Sequence, residues 1–134
     1  MLVLDASAAL AWAFEDHFDR AATDLLARVR DHGAQVPGLF HLEVANGLLG
    51  AERHAGHAQA ASVQFFQLLG DLDIRVDPAT AVRAGAQIMD VARQHGLTSY
   101  DASYLELALR DGVPLATRDR RLAQAAAGIG LEVL

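Results

Sequence analysis

Asp5, Glu43, Asp101 and Asp119 stand at positions where packing alone does not call for a carboxylate. Asp5 closes the apolar run Leu2, Val3, Leu4, and Asp119 follows Leu115, Ala116, Thr117 and Arg118. Glu43 interrupts the apolar stretch 39–49, and Asp101 immediately precedes the stretch 102–109. In an α/β protein, ligands bind beyond the carboxyl ends of the parallel strands. Carboxylates gathered on such an edge cannot all stay ionised at short range unless a cation shares the site. The chemistry this set points to is capture of a hard divalent metal by oxygen ligands.

The elements that must carry these residues alternate along the chain. Residues 2–4, 35–36, 73–76, 113–116 and 131–133 read as short strands. Fully apolar runs such as Leu2-Val3-Leu4 suit a parallel sheet buried on both faces. Helices are expected over 8–14 (capped by Ser7), 18–29, 39–54, 58–69, 78–95, 101–110 and 120–127. Gly33, Gly56, Gly96 and Gly112 punctuate them, and Pro37 and Pro78 open two of them. The expected fold is α/β, three layers of α/β/α around a short-stranded central parallel sheet. At 134 residues, with no linker and no internal repeat, the chain reads as a single domain, 1–134.

Each acidic residue also has a bland explanation. Asp5 and Asp119 suit turns and helix N-caps, and Asp101 sits in a first helical turn, where the macrodipole favours a carboxylate. Glu43 is harder to dismiss. With Asn46, Gly47 and Gly50 it falls at i, i+3, i+4 and i+7, forming one helix face that is polar at one end and nearly bare at the other. Each glycine costs a helix roughly 1 kcal/mol relative to alanine. Two on one face imply a close approach to the backbone, against the alternative of a solvated stripe.

Composition removes several chemistries. The hydrophobic fraction of 52% supports a compact core and argues against disorder. Without cysteine there are no disulfides, thiolate metal sites or cysteine nucleophiles. All eleven basic residues are arginine, so a lysine-bearing phosphate loop and a pyridoxal Schiff base are excluded. No apolar run approaches the roughly 18 residues of a membrane span, so no membrane association is expected and a cytoplasmic protein is the default. The net charge of −6 argues against broad duplex binding. Divalent cations in the acidic site would offset much of it and leave a short single-stranded or structured substrate possible.

The four motifs together resemble a family. Asp5-Ala6-Ser7 after a first strand, Glu43-Val44-Ala45-Asn46 within a helix, Tyr100-Asp101-Ala102 opening a helix and Ala116-Thr117-Arg118-Asp119 after a strand are similar to the PIN domain, in particular to small single-domain toxins of the VapC type. The resemblance runs in order from Leu2 to Val133. It implies a metal-dependent endoribonuclease with Asp5, Glu43, Asp101 and Asp119 as both catalytic and metal-binding residues for Mg²⁺ or Mn²⁺. It implies supporting roles for Ser7, Thr117 and Asn46. It further implies an RNA substrate, a cognate antitoxin protein as partner and a homodimer. Hydrolysis by water would leave 5′-phosphate and 3′-hydroxyl ends. Arg118 and Arg120, beside Asp119, are candidate RNA contacts, weighed against ordinary solvated helix charge.

His54 and His57 flank Gly56 and read as a surface loop rather than a zinc pair, and His41 points to a different helix face from Glu43. Of Trp12 and Phe14, at least one is expected in the core. Two further readings stand beside the toxin: a PIN nuclease of RNA processing that is not a toxin, and a PIN-like scaffold that binds metal or an arginine-bearing partner without catalysis.

Overall fold

Parallel pairing builds the centre of the molecule. The computed structural model describes all residues, 1–134. Strands β1 (Val3–Leu4), β2 (Ala34–Val36), β3 (Ile74–Val76) and β4 (Leu115–Ala116) form one sheet in the order β3-β2-β1-β4. Every pairing is parallel, with Val3 opposite both Gln35 and Leu115. Eight α-helices connect and cover the strands: α1 (Ala6–Leu10), α2 (Arg20–His32), α3 (Phe40–His54), α4 (Gln59–Asp71), α5 (Thr80–Arg83), α6 (Met89–His95), α7 (Ser99–Asp111) and α8 (Arg120–Gly128). The result is the expected three-layer α/β/α arrangement. None of these helices is long and apolar enough to cross a membrane.

The strand order matters for the site. The chain moves outward from β1 to β2 and β3, then returns to the opposite side of β1 to lay down β4. That reversal opens a crevice beyond the carboxyl ends of β1 and β4, where sheets of this kind bind ligands. Asp5 and Thr117 are the residues that directly follow those two strands.

Several local expectations are revised. The final strand at 131–133 is reduced to one parallel bridge, Leu115 to Val133, held by the Leu115 N–H on the Glu132 carbonyl and the Leu134 N–H on the Leu115 carbonyl. The first helix begins at Ala6 rather than residue 8, so Ser7 lies inside it and is not its cap. Asp19, not residue 18, starts α2, its carboxylate accepting the Ala22 N–H. The single helix expected over 78–95 is broken into α5, a π-helical turn (Ala84–Ile88) and α6. Such turns insert one residue and often mark functional or strained sites. A short 3₁₀ turn (Glu15–His17) follows α1.

Helix α7 is the central strut. Residues Ala102 to Ala108 are all buried, as expected for a helix packed on every side. It packs against β1, β4, α6 and α8. Its buried Glu106 is compensated in place: it accepts from Arg83 of α5 and from Arg110 of the same helix, and Arg110 also pairs with Asp77 at 2.6 Å. The Arg110 guanidinium holds the Asp77 carboxyl below its ordinary range. This ion network ties α5, immediately before the π turn, to α7.

The bare face of α3 is half explained. A Cβ at Gly47 would lie 2.5 Å from Leu10 Cδ1, so the glycine admits the close packing of α1 on α3. Gly50 faces open space.

Glu106→Ala would leave Arg83 and part of Arg110 without their buried acceptor. It is expected to lower unfolding free energy by about 2–3 kcal/mol, near the lower bound for breaking a buried pair because both arginines are partly exposed. Urea denaturation checks this; a loss under about 0.5 kcal/mol would mean the network is not structural.

Candidate active site

Asp5 is the most buried of the four carboxylates. It occupies the N-cap position of α1, yet its side chain makes no capping bond. Instead its Oδ2 accepts two hydroxyl protons, from Ser7 Oγ and from Thr117 Oγ1, each at 2.6 Å. A hydroxyl has a single proton, so both hydroxyls are fully committed as donors to Asp5. The 3.3 Å contact between them is therefore a packing contact. Their lone pairs are used in turn: Ser7 Oγ accepts the Arg118 N–H at 2.9 Å and Thr117 Oγ1 accepts the Asp119 N–H at 3.0 Å. Asp5 thus anchors a two-branched relay, through Ser7 to the Arg118 N–H and through Thr117 to the Asp119 N–H, that fixes the β4–α8 turn against the start of α1.

Asp119 ends the relay and caps α8, its Oδ1 accepting the Leu122 N–H. The bland capping role is real here, and it leaves Oδ2 without a hydrogen bond. Asp101 lies in the first turn of α7, whose cap is Thr98. The Asp101 carboxylate accepts no hydrogen bond and is half-buried. Glu43, on α3, is half-buried and is gripped by the fully buried Tyr104, whose hydroxyl donates to Oε1 at 2.6 Å. That is the one side-chain hydrogen bond between α3 and α7. Sequence reading missed Tyr104; its signal was the i, i+3 spacing from Asp101, which puts both on one face of α7.

Electrostatics link the four. Burial, above all, pushes the Asp5 carboxyl up, the Ser7 and Thr117 bonds pull it back, and the charge of Asp119 adds to the rise. Burial also raises Glu43, opposed by the Tyr104 bond and reinforced by the charges of Asp5 and Asp101. Asp101 is raised by burial and by the charges of Asp119 and Asp5, with Arg121 opposing. Asp5, Glu43 and Asp101 each feel the charge of another carboxylate, and Asp119 is a source of that charge for Asp5 and Asp101, so the four lie near one another in the fold. Tyr104 is held far above the ordinary phenol range by burial and by Glu43, which keeps its proton available to donate.

These residues fit a hard divalent ion by their donor chemistry: oxygen only, mutually repelling, with unengaged oxygens on Asp5, Asp101 and Asp119. No three acidic or histidine side chains stand as a ready-made cage. Mg²⁺ retains several waters and takes few direct carboxylates.

The remaining sequence candidates divide. Ser7 and Thr117 join the Asp5 network. Asn46 is exposed and makes no hydrogen bond. Arg118 is paired with Asp19 at 2.6 Å, while Arg120 is exposed and unpaired. Trp12 is buried, with Nε1 donating to the Ala22 carbonyl, and Phe14 is half-buried, its ring edge-on to His17 and His57.

Comparison with known proteins adds the following. The family model of the PIN domain matches residues 2–128. PAE2754 from Pyrobaculum aerophilum shares the fold with a TM-score of 0.71 at 28% identity, covering 98% of this chain and 81% of that one. FitAB, in a structure bound to the IR36 DNA fragment, has a TM-score of 0.64 at 20% identity, covering 100% and 94%. FitAcB from Neisseria gonorrhoeae has a TM-score of 0.64 at 19% identity, covering 100% and 96%. No curated protein matches the chain.

Two outcomes are expected from the electrostatics. Because burial raises Asp5 above its unfolded value, its protonated form stabilises the fold at low pH, and that contribution is lost as pH rises through the raised pKa. Asp5→Asn should therefore gain stability over wild type in chelator as pH increases from about 4 upward. Denaturation across pH checks the sign, and a shrinking difference would refute it. Tyr104→Phe removes a bond that holds Glu43 down, so the Glu43 carboxyl should titrate higher still by carbon-13 NMR.

Proposed function

Because the chain belongs to the PIN-domain family, we propose that it is a Mg²⁺- or Mn²⁺-dependent endoribonuclease that hydrolyses RNA phosphodiester bonds, and that it is the toxin of a VapC-type pair restrained by a cognate antitoxin. The observation that supports this reading is the proximity of Asp5, Glu43, Asp101 and Asp119 about the sheet's reversal, where the first three each feel the charge of another carboxylate. These four would hold the metal. When bound, such an ion neutralises phosphate charge and lowers the pKa of water.

The chain's own groups have separate tasks in this reading. Ser7 and Thr117 fix Asp5 Oδ2, so its free oxygen faces a constant direction. Tyr104 fixes Glu43 through Oε1. Capping fixes Asp119 through Oδ1. Asp101, with no hydrogen bond and a raised pKa, is the carboxylate free to take a proton from the attacking water onto one of its oxygens. Arg120 is available to a phosphate of the strand. The partners are RNA, the antitoxin and a second copy of the chain, and the setting is the cytoplasm.

A second reading is a scaffold that accepts an arginine-bearing partner at the same acidic residues without catalysis.

Purified wild type should cleave total RNA in Mg²⁺ or Mn²⁺ and not in EDTA, giving 5′-phosphate and 3′-hydroxyl ends. Asp5→Asn and Asp101→Asn should each lower the rate roughly a hundredfold or more. Folded wild type that binds Mn²⁺ and cuts no RNA would transfer the weight to the scaffold. Expression without partner should arrest growth, with relief by Asp5→Asn; cleavage without arrest would place the enzyme in RNA processing.

A further inference from the structure

The acidic site accounts for the reaction but not for how an acidic protein holds one stretch of RNA. Most of the arginines are already engaged. Seven of the eleven are engaged by carboxylates or a backbone carbonyl: Arg20, Arg75, Arg83, Arg93, Arg110, Arg118 and Arg121. Of the four that are not, Arg30, Arg53 and Arg120 are exposed. Arg28 alone is half-buried without a partner. Its stem is covered while its guanidinium nitrogens stay open to solvent and carry no hydrogen bond, which leaves them available to a ligand.

Arg28 lines a cavity of about 260 Å³ between α2 and the β4–α8 turn. Ala21 and Leu25 of α2 give it an apolar wall, and Thr117 and Arg118 of the β4–α8 turn also line it. Asp24 also borders it and lies 3.9 Å from Arg20, both side chains exposed, and no ion pair joins it to Arg28. Thr117 is shared: its hydroxyl holds Asp5 while the residue forms part of the cavity wall. Through this residue the cavity adjoins the Asp5 network.

We propose that this cavity is a subsite for one nucleotide of a single-stranded RNA, its base against the apolar wall and the Arg28 guanidinium, adjoining the scissile phosphodiester. The proposal rests on the nuclease reading and deepens it. The cavity is smaller than the roughly 300–1,000 Å³ pockets of drug-sized ligands, which suits a single planar base. Bases of unpaired RNA stack on arginine planes and apolar side chains, whereas a paired base is unavailable. The subsite thus selects single-stranded RNA, and it gives preference at one position rather than along a motif.

Two variants test it. Ala21→Trp fills the opening from an exposed position, and Arg28→Ala removes the guanidinium. A random single-stranded RNA library is cut by wild type and by each variant, and the cut ends are sequenced. Wild type should show a base preference within about two nucleotides of the cut, and both variants should lose it. Their KM should rise about tenfold while kcat stays near that of wild type. The same library, fluorescein-labelled, is titrated onto Asp5→Asn with and without each substitution, in Mg²⁺, and read by anisotropy. Affinity should weaken about tenfold in the substituted chains. Unchanged preference and affinity in both variants, with melting temperatures unchanged, would overturn the subsite, including the case in which the cavity instead takes a protein segment. Cleavage absent from wild type would defeat the nuclease reading alone, because the binding titration still decides the subsite; no RNA binding by the Asp5→Asn chain would overturn it outright.

Discussion

A carboxylate that is buried must be compensated, and Asp5 is the place where this chain meets that requirement. Its position at the end of β1 removes it from water, and burial is the largest influence on its titration. Two hydroxyls answer it on one oxygen. Those hydroxyls come from segments more than a hundred residues apart, so the compensation also closes the sheet's reversal crevice. The turn between β4 and α8 has few other anchors, yet two successive backbone N–H groups, of Arg118 and Asp119, are satisfied by the same two hydroxyls. One unfavourable burial thereby orders the loop that delivers Asp119 and lines the neighbouring cavity.

The rest of the architecture keeps four repelling groups within reach of each other. Helix α7 is enclosed through Ala102 to Ala108 and cannot move without opening the core. It carries Asp101 at one end, Tyr104 in the middle and Glu106 beyond. Tyr104 reaches across to Glu43, and Glu106 reaches to Arg83 beside the π turn. Helix α3 is seated from the other side, where Gly47 lets Leu10 of α1 approach its backbone. The site's charge repulsion is therefore held by apolar packing and by ion pairs placed elsewhere, a division expected where function opposes stability.

Much of this was legible from residue order. The apolar runs and glycine stops located the four strands and most helices, because period and punctuation are local signals. The acidic set was legible as well, because carboxylates at strand ends conflict with their apolar surroundings. The bland alternatives sorted themselves by side-chain geometry: Asp119 does cap its helix, Asp5 sits at a cap position without capping, and Asp101 leaves capping to Thr98. Only the arrangement of partners in space distinguishes these three.

What the sequence by itself determined was the α/β alternation and the sheet's parallel sense, and it singled out the four carboxylates of the proposed site, since each follows from local pattern and residue chemistry. Tertiary structure alone decided that β4 returns beside β1, that Ser7 and Thr117 share one oxygen of Asp5, that Tyr104 holds Glu43, and that Arg28 is left unpaired over a cavity. The physical reason is range. Periodicity is set by neighbours three or four residues away, whereas compensation of a buried charge is supplied by whichever group the fold brings within hydrogen-bond distance, however remote in the chain.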